Sequence, residues 1–392
     1  MSLDLLLSEA FEVFEEAALK YRTFVIAFSG GKDSTAAAIL FYKWAKRRNG
    51  VKNRVVLLHN DTLSEIPEME LWVDHFARQF KAKMRELGTD VHVRYAYPHP
   101  TETWYWRVLV RGYPAPTFNF RWCVDMLKIE PTERELRRHA NHVLVVGSRD
   151  EESGARAKSM KTRFGTCSGG GSCLGAYFSH GDIPKIAPIR FWTYDMVWSF
   201  LRAQKDFDVQ PLEELYRGLA AGGSLGGRYG CWHCTLVRVQ AANYSRPEYL
   251  YAEAVRTIYR ALSDMGQHFR EPKNTGYSRW GPLNAHARSI IYHAIKAAEE
   301  LAGRKIFYGL DRAAIYGYTL RQIFYEMDPQ RADAIIRRAD PTDRRIPTAE
   351  LRRLDKTHLA ALDSYLSSQN HRDEKTSQAL RQIITRLKEN TA

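Results

Sequence analysis

Residues 24–40 read Phe-Val-Ile-Ala-Phe-Ser-Gly-Gly-Lys-Asp-Ser-Thr-Ala-Ala-Ala-Ile-Leu, and no other stretch narrows the choice of fold as much. Mostly apolar residues bounded by a turn specify a short buried strand, and the alanine-rich run behind the turn specifies a helix. Two consecutive glycines let backbone N–H groups turn inward without side-chain obstruction. The helix opening at Asp33 aims its positive end at the same point, so the turn suits an anion. Ser29 and Ser34 add hydroxyl donors, and Lys32 adds a point charge for a phosphate oxygen. The spacing Gly-x-x-x-x-Gly-Lys-Ser/Thr of the P-loop is absent, so this is a tighter phosphate loop of another kind.

The alternation continues down the chain. Arg54–Leu58 reads as a second strand, Pro67–Leu87 as a helix with Gly88 just past its end, Val91 opens a third strand, and His142–Ser148 reads as a fourth. Strands separated by helices of this length specify an α/β fold, a doubly wound, mainly parallel sheet with right-handed crossovers and its ligand at the carboxyl ends of the strands. Thr193 is placed to cap a helix running to Gln204. From about Ala241 the pattern is nearly all helical, with Ala252–Asp264, Ala285–Ala302, Thr319–Glu326 and Thr376–Lys388 as the helices. The expected division is a nucleotide-binding domain over residues 1–240 and a helical C-terminal domain over 241–392. The glycine-rich segments 164–182 and 217–230 read as loops. The first twenty residues mix glutamates with leucines and phenylalanines, which specifies an amphipathic helix and not a signal peptide. No apolar run is long enough to span a bilayer, so a cytoplasmic location without a membrane partner is expected.

Charge and cysteine placement narrow the function. Lys and Arg number 58 against 45 Asp and Glu, a net charge of +13, which points to a polyanionic partner or to a heavily solvated basic surface. All five cysteines, Cys123, Cys167, Cys173, Cys231 and Cys234, fall between residues 120 and 235. In a cytosolic chain such a cluster argues for metal or catalysis before disulfides. Cys231-Trp232-His233-Cys234 is compatible with a redox pair, half a zinc site or half an iron–sulfur site. Thiolates drawn from separated loops favour a cluster over a zinc knuckle, which would show a second close pair. The stretch Thr101–Trp122 interleaves Trp, Tyr and Phe with arginines, which serves either base stacking or core and rim packing.

Taken with its place after a first strand, Ser29–Ser34 resembles the PP-loop of the ATP pyrophosphatase superfamily, whose members split ATP between the α and β phosphates. The resemblance implies the adenine nucleotide alpha hydrolase-like fold, ATP and Mg2+ as cofactors, and a cradle for the departing pyrophosphate made by Ser29, Gly30, Gly31, Lys32, Asp33 and Ser34. Asp61, after the second strand, either touches nucleotide or magnesium or caps its own loop. Gly147–Arg156, GSRDEESGAR, resembles the signature of the PAPS reductase branch, with Arg149 and Arg156 offering planar forks to phosphate or sulfate and Glu152 holding one of them; the alternative is a surface ion-pair cluster. Lys32, Asp33, Arg149 and Arg156 are the implied catalytic set, Gly147 joins the nucleotide-binding set, and Arg121 and Lys128 are further candidates to hold substrate phosphate.

RWCVDMLKIEP (121–131), GSRDEESGAR, PIRFWTYDMVWSFL (188–201) and RYGCWHCTLV (228–237) together resemble DndC, the PP-loop iron–sulfur family of DNA phosphorothioate modification, over residues 20–240. This implies a [4Fe-4S] cluster held at least by Cys123, Cys231 and Cys234. The family has a further cysteine ahead of Gly-Cys-Trp-x-Cys, and residues 220–228 contain none. The fourth ligand is therefore Cys167, Cys173 or an open iron. The implied activity is ATP-dependent sulfur insertion into the DNA backbone, with DNA, a cysteine desulfurase and other modification-complex subunits as partners. Reduction of adenylyl sulfate or its 3′-phosphate form is the alternative. Those reductases carry an adjacent cysteine pair where this chain has Cys123 alone, and a later nucleophilic cysteine, whereas the last one here is Cys234. A third alternative is tRNA thiolation.

Overall fold

Strand β1 (Thr23–Phe28) is buried along nearly its whole length because it lies inside a six-stranded sheet. The sheet order is β3 (Val91–Ala96), β2 (Arg54–Asn60), β1, β4 (His142–Val145), β6 (Ile183–Ile186), β5 (Tyr177–His180). All neighbours pair in parallel except β5, which closes the edge antiparallel to β6. The structure is a computed structural model that describes residues 3–152, 177–180, 183–218, 230–236, 247–272, 280–341, 350–369 and 374–391. The α/β, mainly parallel, doubly wound sheet is thus as anticipated, with β5 and β6 added beyond the four strands read from the sequence.

The chain forms two compact units that interleave in sequence, whereas the pattern along the chain suggests consecutive blocks divided at 240. The first unit comprises Met1–Asn60, Glu68–Ala96 and Pro131–Leu215, and the second Asp61–Pro67, Tyr97–Glu130 and Tyr216–Ala392. In the first unit, the two faces of β1 read directly from its period of two. Phe24 packs against Phe14, Phe41 and Trp44, from α1 (Leu3–Lys20) and α2 (Lys32–Arg47), while Phe28 stacks on Phe76 of α3 (Pro67–Glu86). Val25 turns the other way into a cluster with Val56, Leu58, Ala96, Leu136 and Leu144. Both faces are therefore covered, the condition for a parallel sheet.

In the second unit the helices Pro247–Asp264, Ala285–Ala302 and Glu374–Glu389 pack on one another, and Lys356–Ser368 packs on the first and last of them. The segment 97–130 is not an excursion from the sheet but part of this core: Trp104, Tyr105 and Trp106 are fully buried. Two stretches in it, Trp106–Val110 and Asp125–Ile129, wind as π-helix. Arg288, buried in the helix Ala285–Ala302, donates to the carbonyls of Leu109 and Val110, satisfying acceptors at the end of the first. Among the described residues no helix is long and apolar enough to cross a membrane.

Candidate functional site

In the first unit, the turn from β1 into α2 has the geometry of an anion cradle. Gly30 adopts φ +77°, and a Cβ there would stand 2.7 Å from Val73 and 2.8 Å from Met69, so only glycine fits. Its carbonyl accepts from the Trp72 indole at 2.8 Å, which fixes the turn against α3. Gly31 is the N-cap and brings no side chain to close the helix end. The first backbone bond of the helix is Thr35 N–H to the Gly31 carbonyl, 3.0 Å, and the amides of Asp33 and Ser34 precede it in the open first turn. Ser34 Oγ bonds the Gly31 carbonyl at 2.9 Å, lies 3.1 Å from Ser29 Oγ and accepts from the Ser29 N–H. Each residue of Ser29–Ser34 is thus either part of the turn or a brace for it.

The loop after β4 closes on the same spot. A Cβ at Gly147 would fall 2.7 Å from the backbone of Asp33 and Ser34, so a bare glycine lets that loop touch the start of α2. Arg149 follows, its side chain 4% exposed, with Nε donating to Asp33 Oδ1 at 2.7 Å and Nη1 to Glu151 Oε2 at 2.7 Å and the Trp192 carbonyl at 3.0 Å. Lys32 Nζ donates to the other Asp33 oxygen at 2.6 Å and stands 5.3 Å from the Tyr194 ring centroid. Glu151 also accepts from the Tyr194 N–H at 2.6 Å. The Arg149 guanidinium, expected to face a ligand, holds Asp33 and the 192–194 corner through Nε and Nη1. Glu151 is the carboxylate that braces it; the side chain of Glu152 and all of Arg156 lie outside the described residues. Sequence reasoning passed over Glu151 and Tyr194, although Thr193, which caps the next helix through Met196 N–H at 3.2 Å, marks that corner.

The second unit holds the cysteines. Cys231 and Cys234 close one turn, Cys234 N–H to Cys231 carbonyl at 3.0 Å. The turn is clamped from several segments: Trp232 N–H to the Ser64 carbonyl at 2.9 Å, Thr235 Oγ1 to the Pro116 carbonyl at 3.0 Å, and Arg256 Nη1 to the Cys234 carbonyl at 2.9 Å. Arg256 is itself held by Glu253 in a buried pair. Thr62 Oγ1 lies 3.4 Å from Cys231 Sγ and donates to Glu65 at 2.6 Å. Cys123, over a hundred residues upstream, enters the same neighbourhood. Burial pushes its thiol up to about 12, with Cys231 and Cys234 adding to the rise and Lys128 opposing it. Cys231 is pushed up to about 11, again by burial first, against Lys128 and Thr62. Lys128 reaches solvent along its side chain, yet Cys231 above all, and then Glu65, Cys234 and Cys123, hold its ammonium above its ordinary range. Three thiols and a lysine therefore share one electrostatic environment.

Among the described residues no group of three or more His, Cys, Asp or Glu side chains is close enough to hold a single metal ion. Cys167 and Cys173 lie outside the described residues. His233 is a residue the sequence did not flag. It is buried, stacked on Trp104 at 5.0 Å and 18°, and neither ring nitrogen has a hydrogen-bond partner among the described residues. Asp61 is engaged as a loop cap: Oδ1 accepts from Leu63 N–H at 2.8 Å and Oδ2 from Arg312 at 2.5 Å.

The profile of the phosphoadenosine phosphosulfate reductase domain matches residues 23–237, more than half of the chain. The chain belongs to that family. Beyond the family, an uncharacterized protein of Methanocaldococcus jannaschii is 26% identical over 258 residues, covering 66% of this chain and 51% of that protein. The chain thus spans about half the length of the curated relative it matches. Among solved structures, phosphoadenylyl-sulfate reductase from Candida auris in a phosphate complex is similar at 16% identity and TM-score 0.38, covering 60% of this chain and 96% of that one. The U34-tRNA thiolase NcsA from Methanococcus maripaludis with its [4Fe-4S] cluster is similar at 14% identity and TM-score 0.33, covering 77% of this chain and 80% of that one. In this reductase-domain family member the matched span takes in the glycine turn, Gly147, Arg149 and all three described cysteines.

Proposed function

We propose that the chain is an ATP pyrophosphatase-type sulfurtransferase whose substrate is the DNA backbone. The observation that carries this is the pairing, in one chain, of a glycine turn built for an anion with three thiols and a lysine gathered from distant segments. A backbone phosphate oxygen attacks the α-phosphorus of ATP and pyrophosphate leaves; a thiol reductant, itself oxidised to a disulfide, cleaves the persulfide supplied by a cysteine desulfurase to hydrosulfide, which attacks the adenylated phosphate, and AMP departs with the original oxygen. Lys32 and the open first turn of α2 are matched to charge building on the α–β bridge as pyrophosphate leaves. Arg149 acts through Asp33, fixing the carboxylate beside Lys32. Mg2+ is the expected counter-ion for the phosphates.

Cys123, Cys231 and Cys234 would hold the metal group, and their donor set suits soft metals. When bound, a [4Fe-4S] cluster supplies the soft site at which sulfur is carried. Lys128 offsets the negative charge of the thiolates, and Thr62 orients Cys231. The net charge of +13 supports a polyanionic substrate, with a cysteine desulfurase as sulfur source and further modification subunits as partners.

The test is to purify the chain anaerobically and reconstitute it with iron and sulfide. It is then supplied with ATP, Mg2+, a desulfurase with cysteine and a thiol reductant, and DNA, and the digested DNA is examined by mass spectrometry. ATP-dependent phosphorothioate dinucleotides, abolished by Cys231→Ala, are the expected result. Family membership favours one second reading, sulfonucleotide reduction. Sulfite released from adenylyl sulfate or its 3′-phosphate form with a thiol reductant, and sulfur-free DNA, would establish that reading instead. Sulfur in tRNA alone would move the substrate to RNA.

A further inference from the structure

The aromatic stretch 101–122 divides into two populations. Trp104, Tyr105 and Trp106 are fully buried, with Trp104 edge-on to Trp232 at 4.8 Å, and they account for packing around the cysteine turn. Phe118 and Phe120 do the opposite. Thr117 and Phe120 exchange backbone bonds of 3.2 and 3.1 Å around a two-residue turn, and Phe118 at its tip is 74% exposed, Phe120 45%. Phe118 is the most exposed large apolar residue described in its unit. Cations flank the pair: the Arg121 guanidinium lies 5.2 Å from the Phe118 ring, and the Tyr113 ring, nearly parallel to Phe120 at 6.2 Å, carries Arg107 at 5.2 Å.

Two phenylalanines held outward on a closed turn contribute little to the core of their own unit. Rings interleaved with guanidiniums match a ligand with flat π-faces strung on an anionic backbone, which is an unpaired nucleic-acid strand. An uncharged apolar protein partner would leave the exposed Arg121 guanidinium facing the wrong chemistry. Arg121 lies two residues ahead of Cys123, so a strand held here is delivered to the thiol environment. We infer that the Thr117–Phe120 turn is a base-stacking clamp that receives an unpaired nucleotide on Phe118 and Phe120, with its phosphate against Arg121. The inference rests on the nucleic-acid reading above and extends it from charge to a defined contact surface.

The experiment is a fluorescence-anisotropy titration of the anaerobically purified full chain, at one fixed salt concentration. The probes are a labelled single-stranded DNA, the same sequence as duplex, and the same sequence as RNA. Wild type is compared with the Phe118→Ala/Phe120→Ala double variant and with Phe118→Trp; both sites are exposed, and an unchanged thermal midpoint verifies folding. The clamp predicts that the double variant binds single strands about tenfold more weakly with its salt dependence retained, that Phe118→Trp binds as wild type does, and that the duplex is affected less. A double variant that binds within twofold of a binding wild type overturns the clamp and leaves the proposed function standing. A wild type that binds none of the three probes overturns both, and preference for the RNA strand assigns the clamp to RNA while contradicting DNA as substrate.

Discussion

Asp33 is pinned from two sides, by Lys32 at 2.6 Å and Arg149 at 2.7 Å, and this small arrangement fixes how the phosphate turn meets the loop after β4. The Arg149 fork spans three acceptors from different segments, a geometry an ammonium cannot copy. Arg149→Gln should therefore destabilise the protein by about 3 kcal/mol in urea denaturation, with Arg149→Lys recovering little of it. Gly147→Ala is the sharper probe, because its added carbon meets backbone rather than a side chain that can swing away. It should cost about 1–3 kcal/mol of stability and weaken ATP binding at least tenfold in calorimetry. Much at this scale was legible: the double glycine, Lys32 and the cysteines all stand out in a bare string of letters. Glu151 was not, because a carboxylate in an acidic run carries no mark of which arginine it braces. The fate of Asp61 depended on Arg312, 251 positions away, which no local pattern could indicate.

The helix Ala285–Ala302 matches its sequence-derived bounds because Asn284 caps it through Ala287 N–H at 3.0 Å and Gly303 ends it at φ +64°. The helix Pro329–Ala339 carried an equally clear start, Asp328 before Pro329, and belonged in the reading. β5 and β6 were missed because each has four residues and lies beside or within glycine-rich sequence, too short for a period to show. The π-turns around Cys123 leave no sequence signature at all. Two outcomes belong to elements. Thr193→Ala, removing the cap beside Tyr194, should cost about 1 kcal/mol in thermal or urea unfolding. His293 donates its Nε2 proton to the Arg352 carbonyl at 3.1 Å, and burial holds its pKa below the ordinary histidine value. The unfolded chain then binds a proton that the folded one resists, so stability is full above about pH 6.5 and is lost as pH falls through the interval beneath it, by at most about 1.4 kcal/mol per pH unit. Thermal midpoints at pH 7.5 and 5.5 check this: His293→Gln should shrink the acid-side loss relative to wild type.

For the molecule as a whole, the parallel sheet followed from strand–helix alternation, while the interleaving of the two units did not. Segment 97–130 joins the second unit as Trp104 packs on Trp232 and Tyr259, and segment 61–67 joins it as Asp61 pairs with Arg312 and the Ser64 carbonyl accepts from Trp232 N–H. Partner choice of that kind is decided by packing over long separations, which periodicity does not encode. The cysteine cluster was visible as a bias in position, yet the burial that couples the thiols to Lys128 appears only in three dimensions. A chain of net charge +13 acting on nucleic acid should bind it at least about tenfold more weakly in 200 mM than in 50 mM salt, measured by anisotropy. The central claim is that the glycine turn grips nucleotide phosphates so that ATP is split between its α and β phosphates. Chromatography of the nucleotide products after incubating the anaerobic protein with ATP, Mg2+ and DNA tests it most directly. AMP and pyrophosphate in equal amounts are the predicted result; ADP with inorganic phosphate, or ATP left intact, would contradict it.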